Sequence, residues 1–437
     1  MDRRIAIIGA GPAGLTAALE LKKRGFHNVT IFGKFSDAQL RTMQVDGIAF
    51  DVAACLLHFG YQSTVIPLVR KMGLTVNYID TPADIVDRRL RPIKKSTSQV
   101  VEIYLNILYY LFFFVGWLLL HRTRWRKAYS SSMEAFLKRR GLSTLAESFA
   151  MGPGGIAQGY GFLDEVTAYH AMRWFRPRLF LTPLLSKYKL GVATISEGYE
   201  TLFTAIIEQF QCTERNIKSV RPSLGKIELI DEEDNRLVFD EVIIACPLDR
   251  IQFPHRYLFN EESIDESYIF SYLFTSAIVP PFADRAYLDE YIRTKQKNKA
   301  LVIRTGGQTN SGDYLYWAVG YKTKDITKEE LQDKIEDQLI EECGLPIKQL
   351  HFFEFFRYNL RFSSSAVRRG LPQQLESLQG HQKIWYSGGL VSHWDISSIY
   401  EHNRRIINKL HFRNRPKSLF SALNYLIHAV LSWLRLL

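Results

Sequence analysis

The chain has 437 residues, 46% of them hydrophobic, and its 56 lysines and arginines exceed its 45 aspartates and glutamates to give a net charge of +11. This composition excludes intrinsic disorder, a mean hydropathy of −0.11 excludes a polytopic membrane protein, and four scattered cysteines exclude a disulfide scaffold. The basic excess points to nucleic acid, anionic lipid or an anionic substrate as partner, and the length admits two domains or one two-lobed unit in a reducing compartment.

In chain order, residues 4–8 form a short apolar strand, too close to the start for a signal peptide, so the chain is expected to begin in the cytosol with its first strand. The strand runs into Gly9-Ala10-Gly11-Pro12-Ala13-Gly14, a G-x-G-x-x-G between strand and helix. Gly9 permits the tight turn, Gly11 lets backbone approach a pyrophosphate, and Gly14 lets the helix pack on the strand. The helix ends in Lys22, Lys23 and Arg24 before Gly25, which suits its negative pole, and its other end points at the phosphates. A second strand, residues 29–32, completes a βαβ unit, and this context makes the glycine motif a strong dinucleotide-binding signal. The acid that ordinarily holds the ribose hydroxyls is replaced by Gly33, followed by Lys34, a combination that suits a 2′-phosphate and raises NADP as an alternative ligand.

Two apolar stretches interrupt the polar average. Residues 100–120 (VVEIYLNILYYLFFFVGWLLL) are flanked by Lys94 and Lys95 before and by Arg122, Arg124, Arg126 and Lys127 after. A spanning helix shows asymmetric basic flanks, so symmetric ones place both ends on the same side. Residues 418–437 form a second apolar helix behind a basic segment, the pattern of attachment to an anionic membrane surface. Basic residues gathered around apolar helices, with no basic and aromatic face, argue against nucleic acid.

Four segments together carry a family resemblance. Residues 46–54 (DGIAFDVAA) resemble the G-x-x-F-D-x-G-A segment of flavin-containing amine oxidases. Residues 216–220 and 226–230 read as paired strands, residues 239–248 (FDEVIIACPL) resemble that family's D-x-V-I-x-A-x-P-L strand, and residues 384–389 (IWYSGG) resemble its strand ending in Ala-Gly-Glu. Within the superfamily, residues 4–15, 25–31, 158–162 (QGYGF) and 195–203 (ISEGYETLF) are similar to bacterial polyenoic fatty acid isomerases.

The resemblance implies an α/β fold: a discontinuous Rossmann-like FAD-binding domain from residues 1–80, 190–250 and 380–412, and an inserted α+β substrate (cap) domain from residues 81–189 and 251–379. Residues 413–437 form a C-terminal amphipathic, membrane-associating helix. The implied FAD contacts are Gly9, Gly11, Pro12, Ala13, Gly14, Lys34, Arg41, Val220 (through its backbone), Gly388 and Trp394, with His393 and Asp395 beside the ring. Tyr160 and Phe162 wall an apolar substrate, with Arg173 as a cation for its head group and Arg88, Arg89 and Arg176 as other candidates. Gly33, Gln39-Leu40 in place of two glycines, and Gly389 in place of the acid depart from the family pattern at the cofactor.

Because the three flavin-domain segments must share one sheet, a single span at 100–120 would tear the domain apart. The expectation is therefore a monotopic protein on the cytoplasmic face of a membrane. Its implied chemistry is hydride transfer from a fatty acid, polyene or isoprenoid to flavin N5, with no catalytic dyad nominated. An NADP-binding reductase and a non-catalytic, membrane-bound binding protein are the alternatives. The histidines lack metal-ligand spacing, and Ser130-Ser131-Ser132 and Ser363-Ser364-Ser365 lack the glycines of a nucleophile elbow.

Overall fold

The computed structural model describes residues 3–35, 40–53, 56–58, 64–79, 83–94, 96–120, 126–151, 159, 161–173, 192–392 and 395–413. The C-terminal apolar helix, Gln39, Tyr160, Arg176, His393 and Trp394 lie outside these residues.

Five parallel strands form the first sheet. They are β1 (Ile5–Ile8), β2 (Val29–Phe32), β9 (Gln211–Thr213), β13 (Glu241–Ile244) and β19 (Ile384–Tyr386), in the order β19-β13-β1-β2-β9. Every residue of β1, β13 and β19 is buried, which accounts for their apolar runs, broken by Glu241 of β13, which pairs with Arg3 and accepts from Trp385 Nε1. The helix Pro12–Lys23 crosses from β1 to β2, with Pro12 at its first turn and Lys22 and Lys23 in its last. The long helix Ile396–Arg413 packs beside it.

Smaller sheets surround this one. An antiparallel meander joins β10 (Ile217–Ser223), β11 (Lys226–Asp231) and β12 (Arg236–Phe239). The hairpin of β3 (Thr42–Val45) and β4 (Ile48–Asp51) carries the Phe50-Asp51 pair. β8 (Val192–Ile195) lies between β5 (Leu57–His58) and β6 (Val76–Ile79).

The second large sheet has the order β18-β14-β17-β16-β15-β7. Its strands are β7 (Asp84–Val86), β14 (Ile264–Ser276), β15 (Arg285–Leu288), β16 (Val302–Gln308), β17 (Tyr314–Tyr321) and β18 (Gln349–Phe362). Side chains alternate between its faces. Phe270, Tyr272, Ala286, Ile303, Tyr316 and Ala318 belong to a core shared with Leu331, Ile335 and Leu339 of the following helical segment. The intervening positions face a cavity towards the first sheet.

The apolar stretch forms the helix Thr97–Leu120, whose side chains are described as far as Leu111. One flank is anchored: Tyr110 is buried and its hydroxyl donates to Met172 Sδ at 3.3 Å. The other flank presents Val101, Tyr104, Leu105, Leu108 and Tyr109, each 51–63% exposed, at the spacing of one helical face. Among the described residues no helix is long and apolar enough to cross a membrane.

Candidate functional site

A cavity of about 680 Å³ runs from the glycine-rich turn after β1 to the inner face of the six-stranded sheet, within the size range of small-molecule and cofactor sites. The end beside the first sheet is mostly backbone. Gly9, Gly11, Pro12 and Ala13 line it, as do Gly388 and Gly389 after β19 and Ile396 at the start of the long helix. The first helix therefore turns an N-terminus without a side-chain cap, and its positive pole, towards this space, whereas the long helix is capped by Asp395, whose Oδ1 accepts from the Ser398 N–H at 2.8 Å. Gly9 has φ +119°, and a Cβ there would meet the Ala245 carbonyl oxygen at 2.8 Å. Gly14 packs behind the turn against the Gly9 carbonyl.

A buried network fixes this cradle. Ser387 Oγ donates to Asn403 Oδ1 at 2.6 Å, and Asn403 Nδ2 donates to the Ala13 carbonyl and to Thr16 Oγ1, both at 2.8 Å. Thr16 Oγ1 in turn donates to the Pro12 carbonyl at 2.7 Å. The end of β19, the long helix and the first helix are thus tied by fully satisfied polar groups, which restrict how the loops between them can move.

At the outer end the wall is formed by Gly33 and Lys34 after β2, Arg215, Asn216, Ile217 and Lys218 of the meander, and Glu232. Gly33 has φ +124°, a backbone conformation that L side chains rarely adopt. A side chain at this position would therefore be strained, and among the described residues the acid on this wall is Glu232. Ile217 rather than Val220 faces the cavity; Val220 is 1% exposed and donates its N–H to the Gln252 carbonyl at 2.8 Å. Arg41 is exposed and off the wall, whereas Leu40 is on it.

Asp51 is buried beside the cavity, next to the lining residue Tyr199. Thr42 Oγ1 donates to Asp51 Oδ1 at 2.6 Å and the Tyr199 N–H at 3.0 Å, joining the β3–β4 hairpin to the helix Tyr199–Ile207. Burial pushes its carboxyl up to about 7, against these hydrogen bonds and the field of Arg304. Burial likewise pushes the Cys246 thiol, on the cavity wall, up to about 12, so it is no thiolate nucleophile at neutral pH.

The far floor is the inner face of the second sheet. Ile269, Tyr287, Val302, Trp317, Val319 and Tyr321 make it apolar and aromatic. Two cations interrupt it: Arg285 on β15 and Arg304 on β16, directly opposite each other in the ladder and 7% and 8% exposed. Sequence reasoning missed both. The only signal was an arginine at an inward position of an otherwise apolar strand, in RAYL and in VIRTGGQ. The arginines it favoured lie elsewhere. Arg88 is exposed and paired with Glu290, Arg89 is exposed, and Arg173 stacks on Tyr169, 4.5 Å from the ring centroid. Phe162 is buried in the core edge-on to Tyr321, behind the floor. Among the described residues no cluster of His, Cys, Asp or Glu is arranged to hold a metal.

Residues 7–72 match the model of an NAD(P)-binding Rossmann-like domain. Solved structures share the whole fold. A CLA-producing fatty acid isomerase from P. acnes superposes with TM-score 0.76 at 17% identity, covering 93% of this chain and 98% of that one. A wild-type putrescine oxidase bound to putrescine gives TM-score 0.69 at 13% identity, with 93% and 98% covered. An Exiguobacterium protein assigned as a protoporphyrinogen oxidase gives 0.70 at 14%, with 95% and 100% covered. No curated protein sequence matches the chain at a significant level. The chain therefore shares the fold of these solved structures.

Proposed function

We propose that the chain is a flavin-dependent oxidoreductase or isomerase that acts on an apolar, lipid-like substrate at a membrane surface. The observation that carries this is the continuous cavity, with the glycine-rich turn and the N-terminus of the first helix as an anion cradle at one end and an aromatic floor at the other. The cradle fits FAD, because its wall is backbone at Gly9, Gly11, Gly388 and Gly389, and Gly9 lets the turn lie against Ala245, where a Cβ would meet the carbonyl oxygen at 2.8 Å. Gly9, Gly11 and Ala13 would hold the pyrophosphate, and Gly388 and Gly389 would lie along the ring. When bound, FAD supplies hydride chemistry. The chain's own residues orient the partners: the Ser387–Asn403–Ala13 network holds the cradle rigid, and the floor formed by Trp317, Val319 and Tyr321 excludes water from an apolar substrate. The fold relatives handle a fatty acid and putrescine by their own descriptions, and the apolar floor favours the former kind of substrate.

Membrane attachment is supported by the exposed row Val101, Tyr104, Leu105, Leu108 and Tyr109, with exposed Lys94 and Lys127 near the helix ends. An interfacial helix suits a sheet whose strands come from both sides of this segment in the chain. A second reading, NADP as ligand, is favoured by Lys34, Arg215 and Lys218 on the outer wall.

The deciding experiment is the absorption spectrum of freshly purified protein, with the released cofactor identified. Flavin bands and stoichiometric FAD are expected. A colourless protein that binds NADPH tightly would replace the first reading by the second, and one that binds neither would leave a non-catalytic binding protein. Co-sedimentation with phosphatidylserine vesicles tests the attachment: the Leu105→Glu/Leu108→Glu variant should be lost from the pellet. Equal recovery of parent and variant would refute the role of this face.

A further inference from the structure

The floor of the cavity carries a charge that its apolar surroundings do not explain. Arg285 and Arg304 stand opposite each other on β15 and β16, both nine-tenths buried, and both reach the cavity. Two like charges at directly opposed positions are destabilising unless something lies between or beside them. One carboxylate does part of this. Asp284 Oδ2 accepts from Arg285 Nη1 at 2.9 Å, and Asp284 Oδ1 accepts from Arg304 Nε at 3.2 Å. That leaves two guanidiniums on one carboxylate. Arg285 Nε is buried and has no hydrogen-bond partner in the protein, and a buried charged donor left unpaired is costly.

The other charged groups on or near the floor do not remove the excess. Asp51 feels Arg304 but spends its Oδ1 on Thr42 and Tyr199, and its burial opposes ionisation. Arg357, also on the wall, is already neutralised by two carboxylates, Asp249 at 2.7 Å and Glu266. Arg250 is exposed, so water screens it. Among the described residues, the uncompensated cationic position inside the cavity therefore lies at the Arg285–Arg304 pair, beside Tyr287, Val302 and Trp317.

We infer that Arg285, with Arg304 beside it, is the anchor for the head group of a monoanionic substrate, a carboxylate on an apolar chain that lies along Val302, Trp317 and Val319. The inference rests on the reading of the cavity as a lipid-like substrate site and adds its polarity: acids are selected, and amines, which would meet two cations, are rejected. A planar guanidinium presents paired donors that match a carboxylate, and a single negative charge balances two arginines and one aspartate. This polarity separates the chain from a fold relative that binds putrescine, a diamine.

The test displaces the neutral fluorophore Nile red from the holoprotein with dodecanoate, dodecanol and dodecylamine. In the parent, dodecanoate should displace it at roughly tenfold lower concentration than dodecanol, a difference of about 1.4 kcal/mol, and dodecylamine should be the weakest. Arg285→Met, which keeps the stem, should bring acid and alcohol to parity without changing dodecanol affinity or flavin content. Asp284→Asn should shift the balance the opposite way, with dodecanoate raising the thermal midpoint more than in the parent. A merely structural ion pair would weaken all ligands alike in both variants. An acid-to-alcohol ratio unchanged by Arg285→Met overturns the inference and leaves the lipid-site reading intact. Loss of flavin with an unchanged ratio assigns the pair to the cofactor and overturns it as well. Failure of all three ligands to displace the dye refutes the lipid-site reading and the inference with it. If the protein is colourless, the flavin reading fails on its own while the acid-to-alcohol ratio still tests the anchor.

Discussion

Replacing Asp51 by Asn should stabilise the protein above neutral pH and have little effect in mild acid. Asp51 is 6% exposed, and burial raises its carboxyl from 3.8 to about 7 in the folded chain. Between those values the folded state binds a proton that the unfolded state has released, so stability falls as pH rises through this window. Below it both states are protonated and nothing is lost. Above it the ionised carboxylate costs the folded state about 4 kcal/mol, at about 1.4 kcal/mol per pH unit. Asn keeps an Oδ1 able to accept from Thr42 Oγ1 and the Tyr199 N–H, so the link between the hairpin and the helix Tyr199–Ile207 survives. Its amide NH₂ loses part of the gain by facing Arg304. The net expectation is a stabilisation of roughly 2–4 kcal/mol at pH 8.5 and within about 1 kcal/mol of the parent at pH 5. Because a chain of 437 residues need not unfold in one step, the comparison is of thermal midpoints for variant and parent at the two pH values. An equal shift at both would refute the reasoning, since only a titrating Asp51 makes the difference depend on pH.

Two further outcomes follow from the same geometry. Gly9→Ala should purify folded but with flavin occupancy reduced at least tenfold, because its Cβ, 2.8 Å from the Ala245 oxygen at φ +119°, forces the turn out of place; an unchanged ratio of flavin to protein absorbance contradicts this. His402 is buried, with Nδ1 accepting from Arg405 Nη2 at 2.9 Å and Nε2 donating to the Tyr386 carbonyl at 3.0 Å. Burial, then Arg405, lowers it to about 4. The unfolded chain then binds the extra proton between about 6.5 and 4, so stability is complete above that window and is lost as pH falls through it. His402→Gln should flatten the fall in thermal midpoint between pH 6.5 and 4.5, and a variant that tracks the parent there would remove His402 as its cause.

How much of this was legible depended on whether the signal was local. The strand, glycine turn and helix at residues 5–23 follow from adjacent residues, and so do the buried runs of β13 and β19. The meander pairing of β10 with β11 was legible because a short turn joins two alternating segments. Gly33 was visible as a departure, but not its backbone: a lost acid and a chain that turns at φ +124° read alike in sequence. Asn403 gave no signal, since one asparagine in an amphipathic helix looks like a surface residue until Ala13, 390 positions away, is beside it. The arginine pair was hidden for the same reason. Each strand shows one arginine, and only the register of β15 on β16 puts the two together over one carboxylate.

That contrast gives the two charged ends of the cavity different physics. At the outer wall the side chains of Arg215 and Lys218 are 46% and 43% exposed and Lys34 is exposed, so their fields pass through water. Ions shorten the reach of such charges from about 8 Å at physiological ionic strength to about 3 Å at 1 M. At the floor Arg285 and Arg304 act inside an apolar cavity that salt barely enters, where a charge keeps its strength and cannot be left unpaired without cost. High salt should therefore weaken any contribution of Lys34, Arg215 and Lys218 to dinucleotide retention, while the preference for dodecanoate over dodecanol persists. Measuring flavin release and the acid-to-alcohol ratio at low ionic strength and at 1 M separates the two, and Lys34→Glu should mimic the salt effect on the cofactor alone. An acid preference that disappears in salt would mean that the anion is held by exposed cations at the mouth, and the buried pair would then lose its role.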